Sequence, residues 1–369
     1  MKFLFVATVR SHIGQFHMPL IRALKAEGHT VHAAYRDNSA DKKGLDLSAI
    51  DRVFEVPFER SPYKPGNLLA YRKLKAILDK GDYDIIHCHT PMGAVITRLA
   101  AGRARKRGAK VFYTAHGFHF YRGASKLNWA LYYPVEKLLS GRTDTLITIN
   151  REDHELALSR HFAAQRIVRI DGVGVELDRF RAVTEAERAT ARAELGFSEG
   201  QTVLLYAADL SKRKNQPMLF RALARLKERC PDLLLLLPGQ PILQAEYEAQ
   251  CAELGISHMV RFLGYRRDID RLLAACNAVV SSSRQEGLPL NLIEAAARGR
   301  FIIATDVRGN ADVVRQSGSG VLVTLNDDEA MAAEIAKLCA SAPDAPDRKN
   351  IQCYDSRAIV KALFELYGI

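Results

Sequence analysis

The chain has 369 residues, of which 48% are hydrophobic and 26% are charged, and its formal net charge is +11 at neutral pH. This composition excludes disordered, collagen-like and small disulfide-dense proteins, and the length predicts two domains. No apolar run approaches the ~20 residues that span a bilayer, so we expect no transmembrane helix. A basic excess favours partners that carry phosphate, in a nucleotide, a nucleic acid or an anionic lipid.

The N-terminal sequence MKFLFVATVR holds a short apolar run without a small-residue cleavage site, which predicts a first β-strand rather than a signal peptide. The six cysteines form no CxxC pair, and most of them lie in apolar surroundings. Reduced, buried thiols are therefore expected, and they favour a cytoplasmic location.

Short apolar segments alternate with helical patterns along the first half of the chain. The segments predict strands at 2–9, 30–35, 52–58, 84–90, 110–116, 145–150 and 166–170. Helical patterns fill several of the gaps, including 17–27, 67–80 and 92–107. Fully apolar strands that alternate with helices indicate a parallel sheet covered on both faces.

The alternation restarts in the second half of the chain. Six more strands are predicted at 202–208, 233–239, 260–264, 278–283, 301–306 and 320–323. Helices between and after them are predicted at about 215–229, 243–254, 267–275, 289–298 and 328–340. We therefore predict an α/β protein with two parallel-sheet units in series, and a ligand site in the cleft between their carboxyl edges.

The break between the units is predicted in DGVGVELDRFRAV (171–183), whose two glycines permit a hinge. The predicted domains are 1–172 and 173–354. A second loop is expected at 342–350, and a C-terminal helix within 355–369 is expected to return to the N-terminal domain.

The stretch SSSRQEGLPLNLIEAAARG (281–299) has the clearest chemical pattern. Pro289 suits the first turn of a helix that ends before Gly299, so Glu286 lies in the preceding loop and Glu294 lies on the helix. The unpaired N–H groups of residues 287–291 would then form an anion site suited to a diphosphate. The two carboxylates can accept hydrogen bonds from sugar and ribose hydroxyls. On spacing alone, a glutamate that pairs with the helix dipole and a solvent-facing glutamate explain the pattern at least as well.

The segment EGLPLNLIE resembles the E-x7-E signature of the retaining glycosyltransferases of family 4, which have two Rossmann-like domains. The resemblance extends through 260–314 and 214–226. The segments 5–34 and 114–123 are similar to exopolysaccharide and capsule glycosyltransferases within that family. The resemblance implies the GT-B architecture, in which two Rossmann-like domains face each other across a cleft.

The resemblance also implies roles for individual residues. Glu286 contacts the donor sugar, Glu294 binds the ribose, and Lys214 approaches the diphosphate, where its charge offsets that of the leaving group. His116 lies beside the anomeric region of the donor sugar. The remaining donor-binding positions are Gly14, Tyr265, Gly287, Leu288 and Pro289. An ordinary surface lysine and a turn histidine are the alternatives for Lys214 and His116.

One position departs from the family pattern. Members often carry an arginine five residues before this lysine, and Asp209 stands there. A second basic phosphate ligand is therefore in doubt, and Lys212 or Arg213 could replace it.

Further histidines are candidates for the same region: His12, His17, His87, His89 and His119. His87 and His89 share one face of a predicted strand, but no third ligand is evident. A buried or cleft-lining pair is therefore favoured, and we predict no metal and no cofactor.

The acceptor side is predicted from a basic segment followed by an aromatic one. Residues 97–110 hold six basic side chains, and residues 112–134 hold eight aromatic ones. This combination suits an anionic membrane surface or a nucleic acid, and a solvated helix face beside core aromatics is the alternative. The family resemblance favours the membrane over a nucleic acid, because related enzymes extend sugars on a polyprenyl diphosphate.

The resulting hypothesis is a retaining glycosyltransferase on the inner face of the cell membrane. It would move a sugar from a nucleotide-diphosphate sugar, with UDP as the expected nucleotide, to a polyprenyl-diphosphate-linked saccharide in cell-surface polysaccharide synthesis. The alternatives are a nucleotide-sugar epimerase or hydrolase of the same architecture, and a non-catalytic basic protein that binds membrane or nucleic acid. A dinucleotide oxidoreductase is disfavoured, because no GxGxxG follows the first strand.

Overall fold

The structure is a computed structural model that describes residues 1–40, 44–341 and 349–369. It contains two compact units, each built around its own parallel sheet. The first unit comprises Met1–Val173 with Ser356–Ile369, and the second comprises Gly174–Asp355. Most of the predicted loop at 342–350 lies outside the described residues. The predicted α/β class with two Rossmann-like sheets is confirmed.

The sheet of the first unit has seven parallel strands in the described part of the chain. They are β1 (Lys2–Val9), β2 (Thr30–Arg36), β3 (Arg52–Glu55), β4 (Ile85–His89), β5 (Lys110–Ala115), β6 (Thr145–Thr148) and β7 (Arg166–Arg169). Their spatial order is β3-β2-β1-β4-β5-β6-β7, so the direction of winding reverses between β1 and β4. In open parallel sheets, ligands bind beyond the carboxyl ends of the strands at such a reversal.

The helices of this unit connect its strands. They are α1 (Arg10–Phe16), α2 (Met18–Ala26), α3 (Gly66–Lys80), α4 (Pro91–Ala100), α5 (Gly102–Lys106), α6 (Lys126–Ser140) and α7 (Arg151–Ser159). The helix predicted over 92–107 is two helices, and the break falls where a glycine of low helix propensity follows Ala101. Four successive residues of β1, Phe3 to Val6, are fully buried, so both faces of the sheet are covered there.

The sheet of the second unit has six parallel strands among the residues described. They are β8 (Thr202–Leu205), β9 (Leu233–Pro238), β10 (Val260–Gly264), β11 (Ala278–Ser281), β12 (Phe301–Thr305) and β13 (Gly320–Val323). Their order is β10-β9-β8-β11-β12-β13, so the reversal falls between β8 and β11. The loops after these two strands are therefore the expected ligand-binding edge of this unit.

The helices of the second unit are α8 (Glu185–Glu194), α9 (Gln216–Ala224), α10 (Gln244–Glu253), α11 (Ile269–Ala275), α12 (Leu290–Ala297), α13 (Asn310–Ser317) and α14 (Asp328–Ala340). Short 3₁₀ turns span Ser257–Met259 and Lys349–Tyr354. Four of the six cysteines of the chain are buried, and all six, which lie in described segments, are free thiols.

The last helix, α15 (Ser356–Tyr367), belongs to the first unit although it follows the second unit in the chain. The hydroxyl of Tyr367 lies 2.6 Å from Nδ1 of His87 on β4. The ring of Tyr367 packs edge-on against Phe3 and Phe112, with centroid distances of 5.3 and 5.0 Å. This contact fixes α15 to three strands of the first sheet.

No helix within the described ranges is long and apolar enough to cross a lipid bilayer.

Candidate functional site

In the second unit, the loops after β8 and β11 bring Lys214 and Glu286 together. Nζ of Lys214 lies 2.5 Å from Oε1 of Glu286, and the two side chains are 12% and 8% exposed. The guanidinium of Arg213 lies 3.1 Å from the other carboxylate oxygen. One nearly buried carboxylate thus faces two cations at the reversal point of the sheet.

The surroundings keep Glu286 ionised. Burial by itself would raise the pKa of this carboxyl, but the charges of Lys214 and Arg213 and the hydrogen bonds from Lys214 and Ser283 outweigh burial and lower the pKa below its ordinary value. Glu286 is therefore a hydrogen-bond acceptor at neutral pH.

A second layer of hydrogen bonds positions this pair. Ser283 donates to Oε1 of Glu286 at 2.6 Å, and its hydroxyl lies 2.7 Å from the hydroxyl of the buried Tyr206. Tyr206 in turn donates to the carbonyl of Lys214 at 2.9 Å. The two loops therefore hold each other through side chains that sequence reasoning missed, although Ser283 stands within the SSSRQEG segment.

The loop after β12 contacts the backbone of the loop between β11 and α12, which holds Glu286 and is called the Glu286 loop below. Arg308 donates from Nε to the carbonyl of Glu286 at 3.1 Å. Gly309, at a φ of 77°, lies so close to this loop that a Cβ there would stand 2.5 Å from the carbonyl oxygen of Gly287. Only glycine combines that backbone conformation with this approach. Both residues follow a predicted strand, which is the one sequence signal that could have pointed to them.

Helix α12 starts directly after this loop. Pro289 is the N-cap residue rather than the first helical residue, and Gly299 beyond the C-terminus has a φ of 69°. The first N–H groups of a helix have no partner within it, so the positive end of α12 follows Glu286, Gly287 and Leu288 in sequence. Nδ2 of Asn291, in the first turn, is buried without a hydrogen-bond partner among the described residues. It is a donor that the sequence analysis did not single out.

Glu294 lies one turn into α12 and is half-buried. Burial raises its pKa to about 7, with Arg179 opposing this shift and Asp270 adding to it. The carboxyl group therefore changes charge near neutral pH, unlike that of Glu286.

The position that departs from the family pattern has a structural use. A carboxylate oxygen of Asp209 accepts a hydrogen bond from the backbone N–H of Gln240 at 3.2 Å, and its carbonyl accepts one from Gln216 at 3.0 Å. Asp209 thus joins the ends of β8 and β9. Of the two residues that could replace the missing basic ligand, Arg213 contacts Glu286.

In the first unit, the carboxyl ends of β1, β4 and β5 bring four histidines together. They are His12 on α1, His17 between α1 and α2, His89 at the end of β4 and His116 just after β5. Burial lowers the pKa of His116 to about 4, so its imidazole is neutral at pH 7. All four are candidates from the sequence, but their meeting was not predicted.

Other candidates have local roles in the described structure. His87 is held between the hydroxyls of Tyr367 and Thr114, at 2.6 and 2.7 Å. The ring of His119 stacks on Tyr132 with a centroid distance of 4.7 Å. Tyr265 follows β10 and is 53% exposed, so its predicted contact with the base stays a prediction.

Gly14, a predicted donor-binding position, has a packing reason to be glycine. It lies within α1, and a Cβ at this position would stand 3.0 Å from the side chain of Leu45. Close packing of Leu45 explains the glycine, and the predicted role of Gly14 in donor binding stays a prediction.

Part of the basic and aromatic segments of 97–134 is buried, whereas Arg103, Lys106, Arg107 and Lys110 are exposed. Arg98 is buried, pairs with Glu136 at 2.9 Å and stacks on Tyr113. The other aromatic side chains in the core are Phe112, Phe118 and Phe120. These residues cannot touch a membrane surface, because they pack inside the unit.

Comparisons with known proteins agree with this architecture. The family model "Glycosyltransferase Family 4" matches residues 18–179, and "Glycosyl transferases group 1" matches residues 187–354. The chain is 43% identical over 337 residues to EpsD of Bacillus subtilis (strain 168), which carries the name glycosyltransferase as a provisional assignment. That match covers 91% of this chain and 87% of EpsD.

Two further comparisons concern proteins with named ligands or substrates. The chain is 28% identical over 260 residues to the UDP-Gal:alpha-D-GlcNAc-diphosphoundecaprenol alpha-1,3-galactosyltransferase of Escherichia coli, covering 69% of this chain and 66% of that enzyme. The crystal structure of HepE from Anabaena, in complex with UDP and glucose, matches with a TM-score of 0.80 and 22% identity over 100% of this chain and 99% of HepE. At that identity the structural match shows the fold.

Proposed function

The chain belongs to the family 4 glycosyltransferases, and we propose that it transfers a sugar from a UDP-sugar, with retention of configuration, to a saccharide linked to a polyprenyl diphosphate. The family makes the chain a glycosyltransferase. The donor, the acceptor and the stereochemical course are the proposal.

The contact between Lys214 and Glu286 carries this proposal. A donor diphosphate placed beside this pair would attract the ammonium group of Lys214, and the ionised Glu286 would then accept hydrogen bonds from hydroxyls of the sugar. Charge that develops on the departing UDP would be stabilised by Lys214, by Arg213 and by the N-terminus of α12. The contact between this ammonium group and this carboxylate supports the proposed placement of the diphosphate beside the sugar.

Glu294 and His116 have complementary proposed roles. When ionised, Glu294 accepts two hydrogen bonds from a ribose diol, and its place one turn into α12 sets it beside the proposed diphosphate position. His116 is uncharged, so it can hydrogen-bond to the donor sugar without repelling positive charge that develops at the anomeric carbon. Both roles rest on the family resemblance together with these local environments.

The acceptor proposal rests on a relative and on α6. The name of the Escherichia coli relative describes a saccharide acceptor on diphosphoundecaprenol. Helix α6 exposes four apolar side chains at spacings of four, four and three, namely Leu127, Leu131, Val135 and Leu138. Exposed Lys126 and Arg142 lie at the two ends of this stripe. An apolar stripe flanked by basic residues suits peripheral contact with an anionic membrane, where a lipid-linked acceptor lies.

A nucleotide panel tests the donor site. Thermal unfolding is measured with UDP, GDP, ADP and NAD on the wild type and on Glu294→Ala, because a ligand that binds only the folded state raises the midpoint. We expect a rise with UDP alone and its loss in the variant. A rise with GDP or ADP instead would indicate a different donor nucleotide and would leave the assignment as a transferase unchanged.

Product analysis tests the transfer. UDP-hexoses are incubated with polyprenyl-diphosphate-linked N-acetylglucosamine in detergent, and the lipid product is examined for a new glycosidic bond and its anomeric configuration. Hydrolysis or epimerisation of the donor without transfer to the lipid would contradict the proposal.

A further inference from the structure

The four histidines at the carboxyl edge of the first sheet form a compact group of imidazoles. They are His12, His17, His89 and His116, and one ring nitrogen of each lies within 4.8 Å of a ring nitrogen of every other. His17 and His89 are fully buried, and His12 and His116 are half-buried. The group contains nitrogen donors from three adjacent strand ends and is held by the sheet rather than by a single loop.

The closest distances within the group match a metal site. Nε2 of His12 lies 3.3 Å from Nε2 of His116, which lies 3.3 Å from Nδ1 of His89. A tetrahedral ion with metal–nitrogen bonds of about 2.0–2.1 Å separates its ligand atoms by about 3.3–3.4 Å. Both distances lie beyond the usual range for a hydrogen bond donated by an N–H group.

Hydrogen bonding leaves part of this group unexplained. Nε2 of His17 and Nε2 of His89 are both buried and have no hydrogen-bond partner among the described residues. The rings of His17 and His89 are stacked, with centroids 3.8 Å apart. Buried polar nitrogens are normally paired, so Nε2 of His17 indicates a missing partner, whereas Nε2 of His89 stays unpaired if Nδ1 of that ring is the ligand.

The protonation state of the group suits a metal. Burial, with mutual repulsion among these histidines adding to it for His12, His17 and His89, lowers all four pKa values below the ordinary value. The imidazoles are therefore neutral at pH 7 and need not lose a proton to become ligands. His87 stands beside the group, but hydroxyls occupy both of its nitrogens.

We propose that His12, His17, His89 and His116 bind one divalent transition-metal ion of the Zn²⁺ class. Imidazole nitrogens suit Zn²⁺, Co²⁺ and Ni²⁺, whereas Mg²⁺ and Ca²⁺ prefer oxygen ligands. Four protein ligands make a closed site of the structural type, which ties α1 and the start of α2 to the ends of β4 and β5. The sequence led us to predict no metal, with only His87 and His89 considered as a pair, and the present proposal departs from that prediction. The inference concerns the first unit and is separate from the site of Lys214 and Glu286, but it shares His116 with the proposed function, because a His116 held by a metal ion would not contact the donor sugar.

Metal binding is measured directly, on full-length protein without a histidine tag. The protein is stripped with a chelator and titrated with Co²⁺ and with Zn²⁺ in competition with a chromophoric chelator. We expect one equivalent per chain, visible absorption bands typical of tetrahedral Co²⁺, and a rise in the unfolding midpoint with Zn²⁺.

Variants separate this site from adventitious binding. His17→Gln and His12→Gln each remove one ligand, and we expect at least a tenfold loss of affinity and loss of the tetrahedral Co²⁺ spectrum. His12 is half-buried, so this variant tests the site even if His17→Gln does not fold. His258→Gln, an exposed histidine in the second unit, is the matched control and should bind as the wild type does.

The proposal is wrong if the wild type binds less than one equivalent of Co²⁺ per chain. It is also wrong if the bound Co²⁺ lacks the absorption bands of tetrahedral coordination. It is equally wrong if folded His12→Gln binds as tightly as the wild type, or if His258→Gln weakens binding to the same extent. The UDP-dependent midpoint shift is a separate readout, because the residues tested there lie in the second unit.

Discussion

Nζ of Lys214 lies 2.5 Å from Oε1 of Glu286, and the two residues are 72 positions apart in the chain. Replacing Lys214 with Met leaves a buried carboxylate whose partners are Arg213 and Ser283. We expect Lys214→Met to lower the free energy of unfolding by up to about 3 kcal/mol, the lower end of the cost of breaking a buried pair, because Arg213 remains. Transfer activity should fall at least about a hundredfold.

The double variant Lys214→Met/Glu286→Gln separates these effects. It should recover most of the free energy of unfolding, measured by urea denaturation, without recovering activity. A double variant that is as unstable as Lys214→Met would show that the charge of Glu286 is not the cause.

Glu294→Gln should change how stability depends on pH. Because the folded pKa of about 7 is above the ordinary value of 4.5, the folded wild type holds its proton longer than the unfolded chain, and its stability falls as pH rises between these values. The glutamine variant lacks this loss. As the pH rises from 5 to 8, its free energy of unfolding should therefore increase by about 2 kcal/mol relative to that of the wild type. Urea denaturation at both pH values gives the difference, with exposed Glu253→Gln as the control. A difference that does not vary with pH would contradict the raised pKa.

Gly309→Ala should disturb the Glu286 loop. The new Cβ would stand 2.5 Å from the carbonyl oxygen of Gly287, in a backbone conformation with a φ of 77°. Gly318 is a matched control, because its φ is 63° and nothing lies within 4 Å of the place that a methyl group would occupy there. We expect Gly318→Ala to cost about 1 kcal/mol and Gly309→Ala about 1–3 kcal/mol more, with a weaker UDP-dependent midpoint shift. If Gly309→Ala and Gly318→Ala lowered the free energy of unfolding equally, the loop that holds Glu286 and Gly287 would be able to move away from the new methyl group at little cost.

Leu131→Glu and Leu138→Glu should weaken membrane contact without unfolding the chain. Both side chains are exposed on α6, so the substitutions remove no core packing. Burial of a leucine contributes about 1.5–3 kcal/mol, so each change should lower affinity for anionic vesicles about tenfold or more in a sedimentation assay. Leu158→Glu, at an exposed leucine of α7, should bind vesicles as the wild type does. Unchanged binding by the α6 variants would remove this helix from the acceptor proposal.

Tyr367→Ala should destabilise the first unit although the residue is near the C-terminus. Its buried ring packs on Phe3 and Phe112, so we expect a loss of about 3–5 kcal/mol in the free energy of unfolding. Tyr367→Phe keeps the ring and loses the hydrogen bond to His87, at a cost of about 1–2 kcal/mol. Lys361→Ala, at an exposed position of α15, should stay within about 0.5 kcal/mol of the wild type. Unfolding is followed by circular dichroism in urea, and a wild-type midpoint for Tyr367→Ala would mean that α15 detaches at little cost.

Local patterns predicted most of the secondary structure. The strand predicted over 2–9 is Lys2–Val9, and the helix predicted over 328–340 is Asp328–Ala340. These segments follow from side-chain periodicity within a dozen residues, which a sequence displays directly. The missed feature at the start of the chain is α1, because the first predicted helical pattern began only at residue 17.

By itself, the sequence determined the α/β class, most of the elements and the family, since these depend on local periodicity and on a motif that is continuous along the chain. Only the tertiary structure decided which side chains meet. His12 and His116 are 104 positions apart, and they come within 3.3 Å because β1, β4 and β5 are neighbours in the sheet. The burial of Arg98 against Glu136, the support of the Glu286 loop by Gly309 and the return of α15 to the first sheet have the same origin. Strand order and packing bring distant segments together, and no local pattern encodes that arrangement.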